Sequence, residues 1–380
     1  MPTRAWLLGG PLGWIKAVTG GSPGRFMTVS ERAGLYAPRG VERPRRAAPF
    51  LADLRSRRLR RQSQADRIAT QGGSRPRRIT APNRPVVSRP DRHVAEHGYS
   101  RTMSLENLPA GLPPGRLVTP DPSFSPHWSG GPVCWASQQP LPDAPQQWAR
   151  LQAIQDRTGL RPILFGPGGA REPCRPGEID ALDAETILLR EWHDLERHRQ
   201  QGLFDPGQHR AMLADIPEDV DVDIPYDPGP PFATWPGLTP PGTGERDPEV
   251  VAREVVGRHL LPRMLTFTQT DIYLGLVPAA RSADIPALIG WTGPANALWV
   301  AELSAVLRSW EQRFGARVVA LLDNLYVSVA APPLRWDHAE HLTLEHLLVC
   351  SDNLYNMVNS TFPGYVDRIL GADLWSFWWD

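Results

Sequence analysis

The chain has 380 residues, 41 of them proline, and its 41 basic and 41 acidic side chains cancel. That length suggests about two domains and is enough for a buried core, and a proline content about twice the average argues against one compact all-helical body. The zero net charge conceals an asymmetry: residues 1–102 hold 21 basic and six acidic side chains, a net +15, which leaves −15 on the remainder. Such polarity suits a nucleic-acid arm, or two segments that attract each other. Lys16 is the only lysine, so the arginine bias also reads as coding from a GC-rich genome. Three cysteines, Cys134, Cys174 and Cys350, lie far apart with no C-x-x-C, which argues against a disulfide framework and fits a reducing compartment. No window approaches 18 apolar residues, so no membrane-spanning helix is expected. The first 21 residues faintly resemble a signal peptide, but Gly9, Gly10, Pro11 and Gly13 break the apolar stretch.

In chain order, residues 1–102 show no sustained period of 2 or 3.6 and repeat Arg-Pro pairs, so a disordered basic extension is expected. Only 50–64 has the pattern of a short basic helix. Met27 and Met103 are alternative starts, so the stretch reads first as an over-extended gene start, and next as a nucleic-acid-binding arm or a solvated tail without a partner. Residues 103–213 read as an N-terminal α+β module. Its elements are a strand at 132–137, a helix at 144–156 ended by Gly159, a strand at 161–165 and a helix at 183–201. Residues 214–247 carry eight prolines, four glycines and eight acids against Arg246 alone, and read as an extended, solvated linker. Residues 248–380 read as a C-terminal α+β domain. Helices are expected at 248–260, 296–314 and 335–349, and a strand at 270–277. Two alternating runs over 317–330 flank Asp323-Asn324 as a hairpin. In the closing LWSFWWD, Trp375, Phe377 and Trp379 share one face of a strand. The expected fold class is thus α+β: two mixed modules, a hairpin-containing central sheet and flanking helices.

Several features in one order carry a family resemblance. They are Leu274-Gly275-Leu276-Val277-Pro278-Ala279, the run from Arg308 to Ala316 (RSWEQRFGA), Val329-Ala330-Ala331-Pro332-Pro333, Glu345-His346 with Cys350 and Asp352, and Trp375-x-Phe377-Trp378-Trp379-Asp380. On these the chain, from about residue 103 to 380, resembles bacterial proteins with the domain of unknown function 4253. Leu112 to Arg116 (LPPGR), Pro132-Val133-x-Trp135 and Thr158 to Pro162 (TGLRP) extend the similarity. Pro173-Cys174-Arg175 lacks a tryptophan that the pattern has, and Ser351-Asp352 replaces a Pro-Asp pair. The resemblance implies a cytoplasmic bacterial protein and brings no activity, substrate or cofactor with it.

The densest polar cluster is 337–352. At 100° per residue His338, His341 and Glu345 fall on one helical face, a set chemically sufficient for zinc or iron. That stripe lies opposite the apolar centre at Trp336, Leu344 and Leu347, where solvent normally is, and contains no H-E-x-x-H. His346 and Cys350 are i, i+4 neighbours flanking the apolar face. They form either a nucleophile pair or a buried thiol beside a hydrogen-bonded histidine. Glu345, His346, Cys350 and Asp352 are therefore the candidate functional cluster. Glu311, Arg313 and Trp378 are a candidate interaction surface, and the terminal aromatics either stack a ligand or close the core as an edge strand. Gly166-Pro167-Gly168-Gly169 lacks the phosphate-loop lysine, there is no Gly-x-Ser-x-Gly, and the aspartates at 215–223 lack calcium-loop spacing. The reading that results is an uncharacterised, non-enzymatic protein-interaction or regulatory module, immunity-like by analogy, with an unknown protein partner and no cofactor. Its alternatives are a hydrolase or metal-dependent enzyme centred on 337–352, and nucleic-acid binding through 1–102.

Overall fold

The computed structural model describes residues 104–166, 173–214, 226–260, 271–295, 297–355 and 361–379. The basic extension expected over 1–102, the glycines at 168 and 169 and the aspartates at 215–223 lie outside these residues.

The fold is α+β, built on one mixed sheet of seven strands. In chain order these are β1 (Gly115–Val118), β2 (Cys134–Ser137), β3 (Leu160–Phe165), β4 (Tyr273–Pro278), β5 (Arg317–Leu321), β6 (Leu325–Ser328) and β7 (Leu374–Phe377). Their spatial order is β1-β2-β4-β3-β5-β6-β7. Only β3 and β5 pair in parallel; every other neighbour is antiparallel. β4, which follows the proline-rich stretch, sits between β2 and β3, which precede it. The two segments expected as separate modules, 103–213 and 248–380, therefore share one sheet.

Local chemistry accounts for these elements. Asp323 and Asn324 turn the chain between β5 and β6, as the alternation on either side demands. Helix α1 (Ala144–Gln152) runs into the single turn α2 (Gln155–Thr158), which stops at Gly159 in the left-handed region (φ 69°). Pro162 lies inside the sheet, a position normally hostile to proline. β3 pairs with β5 at Leu164 and Phe165, beyond the proline, and the Pro162 carbonyl is taken by the Trp148 indole N–H at 2.9 Å.

Helices cover both faces. On one side lie α4 (Ala184–Gln200), α8 (Val300–Phe314), α9 (Trp336–Val349) and α11 (Phe362–Ile369). Asp183 caps α4 by accepting the Thr186 N–H at 2.8 Å, and Gly315 (φ 61°) ends α8. Trp310, Phe314, Leu342, Leu344, Tyr365, Trp375 and Phe377 pack together there. On the other side α1 and α6 (Pro248–Val255, followed by one wide π turn) bury Trp135, Trp148, Leu274 and Val319. Short helices α3 (Pro176–Asp180), α5 (Pro206–Ala214), α7 (Ile285–Leu288) and α10 (Asp352–Tyr355) fill connections. Trp336, expected at the apolar centre of α9, is instead the first residue of that helix and 42% exposed.

The described part of the proline-rich stretch, residues 226–247, is not a solvated spacer. It has no regular secondary structure, yet it lies as a strap against the helical face, with Phe232, Trp235 and Leu238 half-buried on the core. Proline and glycine deny it a ladder of its own, so its polar main-chain groups need partners from the body. A side chain at Gly242 would collide with the Ala331 carbonyl, which is how closely the strap approaches.

Candidate functional site

Helix α9 has no side-chain cap at its N-terminus, and what its side chains bond is decided by what packs on each face. His338, His341 and Glu345 do share one face, and that face meets the strap. The His338 Nε2–H donates to the Pro240 carbonyl (2.7 Å) and the His341 Nε2–H to the Gly237 carbonyl (3.0 Å). A carbonyl only accepts, so each imidazole carries its proton on Nε2.

Glu345 is fully buried, and its two oxygens receive four hydrogen bonds. Oε1 accepts from the Thr239 main-chain N–H (2.7 Å) and from Arg313 Nη1 (2.8 Å). Oε2 accepts from Arg313 Nη2 (2.7 Å) and from the Trp310 indole (2.8 Å). Arg313 also donates to the Thr239 carbonyl at 2.8 Å, so this forked ion pair reads both polar groups of one strap residue. Further along, Arg199 donates to the carbonyls of Phe232 (3.0 Å) and Pro230 (3.4 Å), and the Gly242 N–H donates to the Arg313 carbonyl (2.9 Å). The helix stripe thus holds main-chain atoms of the strap. Both Nε2 atoms are protonated donors and both Glu345 oxygens are saturated, an arrangement that does not fit a shared metal ion. Among the described residues no group of three His, Cys, Asp or Glu is placed to hold one.

His346 points the other way, into the core. The rings of Trp375, Phe377, Trp310 and Tyr365 surround it at centroid distances of 4.7, 4.9, 4.9 and 5.9 Å. Its Nδ1 lies 3.2 Å from the Tyr365 hydroxyl, which itself accepts from Asn353 Nδ2 at 3.2 Å. The hydroxyl proton is therefore directed at Nδ1, leaving the imidazole proton on Nε2 among the aromatic rings. Burial, reinforced by the Arg313 charge, pushes the imidazole down from 6.5 to about 3. Cys350 donates its S–H to the Trp378 carbonyl (2.8 Å), and burial raises its thiol far above the ordinary range. His346 has its hydrogen bond with Tyr365 and Cys350 has its bond with Trp378, so the i, i+4 pair supplies neither a base beside the sulfur nor a thiolate.

Asn353, which the sequence reading passed over for Asp352, is nearly as buried as its neighbours (4% exposed). Its carboxamide donates to the Ser376 carbonyl (2.7 Å) and accepts the Trp378 N–H (3.1 Å). It meets the last strand of the sheet as a neighbouring strand would, and with Cys350 it closes that edge. Asp352 is half-buried at the start of α10. Of the expected interaction surface, Arg313 is 10% exposed and held by Glu345. Glu311 is 15% exposed and sits 3.8 Å from Arg317, and Trp378 is half-buried with both main-chain groups bonded.

Residues 273–380 match the family described as Domain of unknown function (DUF4253). The chain carries a DUF4253 domain. Neither a curated protein nor a solved structure matches it. The DUF4253 domain starts at β4 and supplies α8, α9, α11 and β5 to β7, and so Trp310, Arg313, His338, His341, Glu345 and Asn353. The strap precedes the domain in the chain. The stripe and its occupant thus come from opposite sides of the domain boundary.

Proposed function

We propose that the chain is a non-enzymatic protein-interaction or regulatory module, immunity-like in kind, acting in the cytoplasm. One observation carries the reading: Glu345, His346 and Cys350, the residues with the richest chemistry in the DUF4253 domain, are all fully buried and bonded within the fold. A nucleophile needs a lowered pKa, an adjacent base and access to substrate. Cys350 has a raised pKa, and its sulfur is hydrogen-bonded to a carbonyl. With these groups occupied in holding the structure, the surface acts by contact. All three cysteines are buried thiols outside any disulfide, which supports a reducing compartment. Among the described residues no helix is long and apolar enough to cross a membrane.

The test is thiol chemistry combined with turnover. The native chain is treated with iodoacetamide and read by intact mass, and assayed against ester, phosphoester and peptide substrates beside Cys350→Ser. The expected result is no alkylation without denaturant and no turnover by either protein. Turnover abolished by Cys350→Ser would overturn the reading.

A further inference from the structure

The strap makes its polar contacts mainly through main-chain atoms. Gly237, Thr239 and Pro240 present carbonyls to His341, Arg313 and His338; Thr239 presents its N–H to Glu345; Phe232 and Pro230 present carbonyls to Arg199. Phe232, Trp235 and Leu238 add apolar side chains that remain half-exposed, beside the buried Pro230. This is how a groove recognises an extended peptide: polar groups at fixed spacing read the backbone, and shallow apolar seats take a few side chains. Proline and glycine suit such a ligand because they form no competing helix or ladder and leave their carbonyls available. The reading groups lie mostly on the DUF4253 domain, with Arg199 on α4, while the peptide lies outside that domain.

We propose that the α9 stripe of His338, His341 and Glu345, with Arg313, is a docking groove for an extended proline- and glycine-rich peptide segment, and that residues 226–242 are its built-in occupant. The partner is a protein carrying such a segment with spaced bulky apolar side chains. It binds by displacing the strap, so the strap sets the threshold for binding. This deepens the interaction reading above and rests on it. Glu345 is the discriminating contact, because a buried carboxylate that loses the N–H it accepts has no other donor in that direction. The half-buried histidines tune affinity.

The experiment uses the full chain with protease sites inserted within 215–225 and 243–246, cleaved after folding so that the strap is held without covalent attachment. Fluorescein-labelled peptide 226–242 is titrated into intact and cleaved protein and followed by anisotropy. The cleaved chain is expected to keep its helical circular dichroism and to bind the labelled peptide with competition by unlabelled peptide, while the intact chain binds at least tenfold more weakly. N-methylation at Thr239, which removes the N–H that Glu345 accepts, is expected to weaken binding by tenfold or more. His341→Ala is expected to weaken it several-fold without altering the helical signal. Loss of the helical signal on cleavage would overturn the proposal by making the strap an integral part of the core. So would an N-methylated peptide that binds as well as the parent, or labelled peptide that fails to bind the cleaved chain. None of these outcomes bears on the inertness of Cys350, by which the broader reading stands or falls.

Discussion

Glu345 and His346 are adjacent in sequence and face opposite ways, and the consequences of losing them differ. Removing the Glu345 carboxylate leaves Arg313 nearly buried without its counter-ion and the Thr239 N–H without an acceptor. Breaking a buried pair from one side costs about 3–5 kcal/mol, so Glu345→Ala is expected to lower the urea midpoint by the equivalent of that loss. His346 acts through pH. Its folded pKa, about 3, lies below its ordinary 6.5, so the unfolded chain binds the extra proton first. Stability from this residue is intact above pH 6.5 and falls progressively as pH drops toward 3, by a total on the order of 5 kcal/mol. Asp227, raised by burial against the hydrogen bonds from Gly229 and Phe362, works in the opposite sense at the acid end. Unfolding free energies between pH 7 and 4 check the sign: His346→Leu is expected to flatten the slope, and an unchanged slope would remove His346 as its source. For Asn353→Ala, which strips the Ser376 carbonyl, the Trp378 N–H and the Tyr365 hydroxyl of a partner at once, a loss of about 2–4 kcal/mol is expected by the same denaturation assay.

At the scale of elements, strong periodicity made most of the structure legible. The helix expected at 296–314 spans Val300–Phe314 and ends at Gly315, where a left-handed residue is required. The hairpin turns at Asp323-Asn324, and Trp375 and Phe377 share the buried face of the last strand. β1 was missed because four residues between prolines give no measurable alternation, and α11 because Pro363 and Gly364 disguise its first turn. The stripe of His338, His341 and Glu345 was legible as a face of a helix, but its role was not. A helical wheel says which side chains lie together and nothing about what covers them, and here the cover is a segment nearly a hundred residues away in sequence. Asn353 escaped for the same reason, since its partners are main-chain groups of a strand formed later in the chain. Gly242 also belongs to this scale. Gly242→Ala forces a Cβ into the Ala331 carbonyl and should lift the strap locally. It is expected to raise proteolysis within 226–247 several-fold, with the far-ultraviolet circular dichroism unchanged.

For the molecule as a whole, the sheet order shows why the chain on either side of the strap is not two independent bodies. β4 bridges β2 and β3, so the DUF4253 domain supplies a central strand to the preceding segment, and that segment supplies the strap and α4 to the domain. A strap that binds through its backbone makes the domain's main polar contacts independent of the strap's side-chain sequence, which is what an interaction groove requires. The excess positive charge of residues 1–102 remains a sequence property, outside the described residues.

The most direct measurement is hydrogen exchange at the Thr239 amide in the intact chain. Thr239 belongs to no helix or strand, so by local structure alone its amide should exchange at the rate of an unfolded peptide. If it is donated to the buried Glu345, it exchanges orders of magnitude more slowly than an unfolded peptide, and Glu345→Gln speeds it. Exchange at the unprotected rate in the native chain would contradict the strap, and with it the assignment of the α9 stripe as a main-chain recognition site.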